Sequence, residues 1–164
     1  MGRIGNSRGA SSVAFDLGVL YKCEINDWEG AGWSVGLHVS NLGPKINYLT
    51  SKDALPATVK VGGAADLPFL QMHKLTLTAD LGYRLSPADV QALSVSAGAE
   101  YAWRELVMLR GGYHCGDKKK GDASYATAGA GVEYAGVRLD FAWLFAGHEY
   151  LARNTFWVSL GYSF

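Results

Sequence analysis

KLTLTADLGYRL, residues 74–85, sets Leu75, Leu77, Ala79, Leu81, Tyr83 and Leu85 at every second position, with Thr76, Thr78, Asp80, Gly82 and Arg84 between them. Successive side chains of a strand point to opposite faces, so this period predicts a strand with one apolar and one polar face. The same period recurs in residues 12–22, 32–41, 57–67, 92–102, 106–114, 123–135, 137–146 and 154–164. Val13, Phe15, Leu17, Val19 and Tyr21 share a face in the first of these, and Phe156, Val158, Leu160, Tyr162 and Phe164 in the last. The one helical signal is a single turn over residues 87–91.

Alternation alone does not separate a soluble β-sandwich from a barrel in lipid, since both have one apolar face. Three other features do. The segments run to about 9–13 residues, near the roughly 9–11 of a tilted membrane-spanning strand and above the soluble mode of about 5–6. Aromatic residues gather near segment ends (Tyr21, Trp33, Tyr83, Tyr101, Tyr113, Tyr134, Tyr162, Phe164), as interfacial girdles do. The connections alternate between short and long. The sequence therefore predicts an all-β, transmembrane antiparallel β-barrel domain over residues 12–164, of about nine strands, after a linker or disordered start over 1–11.

The composition agrees with this class. In 164 residues there are 21 Gly, 9 Tyr, 6 Phe and 5 Trp but 4 Pro, and the glycines lie inside the alternating segments rather than in a low-complexity tract. Lys plus Arg and Asp plus Glu both number 15, which gives no basic excess for a nucleic-acid partner. The polar faces carry Asp16, Lys60, Asp80, Arg84, Glu100, Arg110, Glu133, Arg138 and Asp140 among Ser, Thr and Gly. Charges of both signs beside small residues suit a wet, crowded lumen where acids and bases pair; a conduction path or a route for a hydrophobic ligand is the alternative use.

In outer-membrane barrels short turns face the periplasm and long loops face outward. With the last strand descending, residues 101–106 and 133–137 become short periplasmic turns, and 23–30 and 68–73 periplasmic connections of intermediate length. Residues 41–58, 84–92, 114–123 and 147–153 become outer loops. Cys23 then lies at the periplasmic rim and Cys115 in an outer loop, too far apart for a disulfide, so two free thiols are predicted. An odd strand count cannot close an all-antiparallel barrel, and no secretory signal peptide opens the chain. The simplest account is the C-terminal portion of a longer barrel, its signal peptide lost with the N-terminal portion.

SSVAFDLGVLYK (11–22) followed by GLHVSNLGPKINYLTSKDALPATVKVGGAADL (36–67) resembles the PorV (LptO) family of Bacteroidota. The resemblance implies a FadL-like barrel of fourteen strands in the outer membrane, serving the type IX secretion system without catalysis. It further implies partners: the C-terminal signal domains of secreted cargo, the translocon channel and an attachment complex, beside outer-membrane lipid. A FadL-type transporter of hydrophobic small molecules is the alternative.

Several candidate sites follow. Asn41, Gly43, Pro44, Lys45, Ile46, Tyr48 and Leu49 open the longest outer loop, apolar enough at its tip for contact with a partner, or else packed on itself. Lys118, Lys119 and Lys120 form a charge run, either a solvated loop or a steering patch for an acidic partner or lipopolysaccharide phosphate. Leu160, Tyr162 and Phe164 resemble the terminal signal read by the barrel-assembly machinery. His38, His73, His114 and His148 are scattered, no metal-ligand spacing or cofactor motif is present, and Ser124 with His148 and Glu149 lacks a nucleophile motif for a barrel hydrolase. On the lipid-facing side, Gly63 and Gly111 are expected to mark bulges or close approaches.

Overall fold

The computed structural model of the protein describes residues 13–44, 46–47, 52–147 and 154–163. Nine long strands form one antiparallel sheet in the order β1-β2-β5-β6-β7-β8-β9-β10-β11. They are β1 (Phe15–Glu24), β2 (Gly32–Leu42), β5 (Thr58–Phe69), β6 (His73–Arg84), β7 (Leu93–Trp103), β8 (Val107–Cys115), β9 (Tyr125–Tyr134), β10 (Val137–Ala146) and β11 (Thr155–Tyr162). Between β2 and β5 the two-residue strands β3 (Ile46–Asn47) and β4 (Lys52–Asp53) pair as a separate ribbon. Short 3₁₀ turns cover Ala88–Val90 and Lys118–Lys120, and there is no α-helix among the described residues.

The register keeps the apolar positions of neighbouring strands on one face. Val19 pairs with Leu37, Leu37 with Val61 and Val61 with Leu81, which in turn meets Val95. At the other end of the sheet Leu109 faces Ala130, and Phe141 joins Ala130 to Val158. A one-residue slip anywhere would turn a whole strand's apolar set to the other side, so this agreement across strands specifies the register. The described register shifts once, between Phe15 and Leu17.

Among the described residues nothing covers that apolar face. Only Ala31, Ala92, Ala102, Met108 and Leu144 are buried hydrophobics among the described residues, whereas Phe15, Val158 and Leu160 are 68 %, 62 % and 76 % exposed. A continuous apolar surface of this extent is unfavourable in water and is what a bilayer solvates. Among the described residues no helix is long and apolar enough to cross a membrane. The structure is the all-β wall of a transmembrane barrel; β1 and β11 are the edges of the sheet.

Aromatic residues mark the margins of the band. Tyr21 lies against Trp33 (ring centres 5.6 Å apart), and Phe69, His73 and Tyr101 form a cluster in which His73 Nδ1 and the Tyr101 hydroxyl are 2.5 Å apart. These residues stand at the end of the sheet that carries the short connections. Phe141, Trp143, Phe145 and Phe156 make a second stack towards the long-loop end of β10 and β11. Phe164 lies outside the described residues.

Alternate connections are short. Ala135 (φ 50°) and Gly136 (φ 79°) form the two-residue hairpin of β9 and β10, the left-handed pair that suits the twist of a hairpin. Arg104 and Glu105 (φ 52° and 57°) make the bend of the three-residue connection between β7 and β8. The β5–β6 connection, expected to span 68–73 at intermediate length, is tighter: Pro68 pairs with Lys74 and Phe69 with His73, and Leu70 and Gln71 (φ 51° and 58°) make the bend. Neither residue signals a positive φ, which is why the turn was not evident from its composition. Gly63 and Gly111 both stay in register without a bulge. Gly63 marks a close approach, as a methyl group there would lie 3.3 Å from the Ser34 carbonyl oxygen; Gly111 does not, since one there would find no atom closer than 4.0 Å. Cys23 and Cys115 are free, as expected.

Candidate functional site

The end of the wall that carries the long connections, expected to face outward, is a connected layer of loops, built from the strand termini upward. Asn41, at the end of β2, adopts φ 57°. This turns its backbone N–H onto Asp16 Oδ1 of β1 (2.7 Å) while its side-chain amide donates to the Pro56 carbonyl (3.3 Å). One residue therefore ties β1, β2 and the approach to β5. Gly43 passes so close to the chain that a methyl group there would lie 2.6 Å from Leu55 Cδ1. Beyond it, Ile46 pairs with Asp53 and Asn47 with Lys52. Of the expected contact residues, Asn41, Gly43 and Pro44 stand at this stapled base and Ile46 starts the ribbon; Lys45, Tyr48 and Leu49 lie outside the described residues.

The next loop locks onto the first. Leu85 donates its N–H to the Ala57 carbonyl at 2.8 Å, Arg84 its N–H to Ala92 O at 2.9 Å, and Gln91 Nε2 bonds Leu85 O at 2.9 Å. The loop at 116–124 then joins through Arg84, whose Nη1 reaches the Lys120 carbonyl at 3.2 Å. Three long connections far apart in sequence thus form one surface. His148 and Glu149 lie outside the described residues, so their proposed alignment with Ser124 has no geometry here; Ser124 instead bonds Gly116, its Oγ accepting that residue's N–H at 3.2 Å.

Beneath the loops, the polar face falls into two halves. Between β7 and β10, Arg110 donates to Glu100 on the neighbouring strand and, at 2.5 Å, to Asp140 two strands away. Arg138 binds Asp140 Oδ2 at 2.7 Å and approaches Glu133 at 3.8 Å. Asp66 adds a smaller cluster with Thr76 (2.6 Å) and Lys74 (3.2 Å).

Between β1 and β6 the pattern changes. Lys60 stands opposite His38 and Asp80 opposite Gly62, and none of these three side chains is hydrogen-bonded or ion-paired among the described residues. They border a hollow of about 550 Å³ that also includes Gly18, Leu20 and Gly36. Glycine makes room here: a methyl group at Gly62 would collide with Asp80 Oδ1. No group of three or more metal-ligating side chains occurs among the described residues.

Sequence reasoning missed one constellation. Ser96 Oγ and His114 Nδ1 are 2.9 Å apart, and His114 Nε2 lies 3.0 Å from Asp122 Oδ1. The alternation puts Ser96 and His114 on one face, but only the inward fold of the loop brings Asp122 to them. Of the positions expected to carry the assembly signal, Leu160 and Tyr162 lie on the edge strand β11, where Leu160 pairs with Leu139 and Tyr162 with Val137.

A family profile for the type IX secretion system protein PorV matches residues 2–91. The chain belongs to the PorV family. The matched region runs from the start of the chain through β1 to β6 and the first two outer loops, and so includes the Asn41 staple and the Leu85–Ala57 link. Residues 92–164, where the likeness is one of barrel patterning, lie beyond the match. No curated protein matches the chain. PorV membership and the lipid-facing sheet together make this an outer-membrane β-barrel component of the type IX secretion system.

Proposed function

We propose that the chain binds the C-terminal signal domains of secreted cargo at its outer loop layer and associates there with the translocon channel and the attachment complex. The observation that carries this reading is the physical continuity of that layer within the PorV match. A protein partner needs a surface whose parts hold their relative positions, and the Asp16–Asn41–Pro56 staple and the Ala57–Leu85 bond supply one. The loop residues 41, 43, 44, 45, 46, 48 and 49 are the proposed contact. The role is one of binding and handover, without bond chemistry.

A photo-crosslinking amino acid at position 47, set against one at the turn position 71, tests the reading in cells that secrete a signal-domain cargo. Crosslinks to cargo or translocon from 47 and none from 71 are expected. Equal yields from both positions, or none from 47, would count against it.

The hollow beside β1, β2, β5 and β6 favours a second reading, passage or binding of a hydrophobic small molecule. Its border of His38, Lys60 and Asp80 is polar for a long apolar ligand, which places this reading behind the first.

A further inference from the structure

We propose that the loop at 116–124 is a preorganised cationic docking site for an acidic segment of a partner protein, set at the outer mouth of the lumen. The inference rests on the reading of the outer loops as the partner-binding side and names the chemistry of the partner surface.

The loop is built as a rigid knob. Asp117 Oδ1 accepts the Lys119 N–H at 3.0 Å, which caps the turn Lys118–Lys120, and Gly121 (φ 76°) returns its N–H to Lys118 O at 3.2 Å. Asp122 donates its N–H to Asp117 O at 3.1 Å, and Ser124 Oγ bonds both backbone groups of Gly116 (3.2 and 3.4 Å), which closes the neck. Below, His114 clamps the Asp122 carboxylate at 3.0 Å while Ser96 holds the other ring nitrogen and Tyr125 stacks on the ring with centres 4.8 Å apart. The clamp is sheltered: the His114 and Asp122 side chains are 16 % and 20 % exposed.

Direction and charge decide the occupant. Arg84 stands on β6, two strands from β8, yet its guanidinium meets the Lys120 carbonyl. His114 and Ser96 belong to the polar face. The knob therefore leans inward over the end of β7, away from the lipid-facing band, which disfavours a lipid headgroup. Lys118, Lys119 and Lys120 carry no ion pair among the described residues, and Arg84 adds a fourth cation. Both carboxylates of the loop are engaged, Asp117 by the Lys119 N–H and Asp122 by His114, so they do not fold back on the lysines. Asp89 is the one other acid in the 85–92 and 116–124 loops. Four cations held at one edge of the mouth attract an acidic partner over about a Debye length, roughly 10 Å at 0.1 M salt.

The test uses the full chain in nanodiscs of zwitterionic lipid, titrated with a fluorescein-labelled oligoglutamate peptide and, separately, with a cargo C-terminal signal domain. Two variants are compared, the triple Lys118→Glu, Lys119→Glu, Lys120→Glu and the single His114→Ala, which leaves all four cations in place but releases Asp122. Oligoglutamate binding is expected to weaken about tenfold or more in the triple variant and in high salt, and about threefold in His114→Ala. Equal binding by wild type and triple variant, or none by the wild type, overturns the site. So does an anionic-lipid nanodisc that abolishes peptide binding, which would assign the lysines to headgroups. Signal-domain capture that survives the triple reversal overturns the assignment of the partner and leaves the proposed function standing. Failure of the wild type to capture any signal domain, with oligoglutamate still bound, removes that function and not the site.

Discussion

Arg110 on β8 reaches across β9 to hold Asp140 on β10 at 2.5 Å, and the residue it passes over is Gly131. A methyl group at Gly131 would lie 2.6 Å from Asp140 Oδ1 and 3.4 Å from Arg110 Nη1. Glycine at 131 therefore leaves room for a close approach between side chains of strands that never pair. Gly131→Ala is expected to lower stability by about 1–2 kcal/mol, and Arg110→Met by more, because it leaves Glu100 and Asp140 without their shared cation. Denaturant unfolding in detergent micelles measures both. An unchanged midpoint in both variants would remove the network from the account of stability.

Leu139 is half exposed on the apolar face, where it pairs with Val132 and Leu160. In a bilayer it faces acyl chains two residues in from the short-turn end of β10. Leu139→Arg is expected to cost about 1–2 kcal/mol when the protein is refolded into liposomes, against less than about 1 for Ser159→Arg on the opposite face of the paired strand. Equal effects would deny the assignment of faces.

The left-handed conformation of Asn41 costs a residue with a Cβ on the order of 1 kcal/mol, and asparagine tolerates it best after glycine. Asn41→Gly is expected to keep the Asp16 bond and lose only the bond to Pro56. Asn41→Val strains the backbone as well, and limited proteolysis should cut the 43–57 loop faster in that variant than in Asn41→Gly.

Ala135 occupies the first left-handed position of the β9–β10 hairpin. Replacement by glycine or asparagine is expected to stabilise by about 0.5–1 kcal/mol, since either adopts φ near 50° with less strain. A fall in stability for both variants would mean that the turn is held differently.

Topology is open to labelling. With Cys23 and Cys115 replaced by serine, Lys119→Cys is expected to react with a membrane-impermeant maleimide on intact cells, and Gln71→Cys only after the outer membrane is opened. The reverse pattern would invert the barrel.

The amino-acid sequence by itself determined the strands, their two faces and the ends at which long and short connections lie. Period-2 alternation is local, and lipid on one side rewards it strand by strand, so Leu75 to Tyr83 read correctly without any neighbour. The family resemblance was likewise legible in residues 11–67, within the matched region. Only the tertiary structure decided which polar residues meet. Arg110 and Asp140 are thirty residues apart and separated by a strand; Asp122 reaches His114 through a loop whose lysines conceal its capped turn; Asn41 finds Pro56 across the longest connection. These contacts depend on the stagger between strands and on glycines that admit a neighbour's side chain, and neither leaves a periodic trace in the chain.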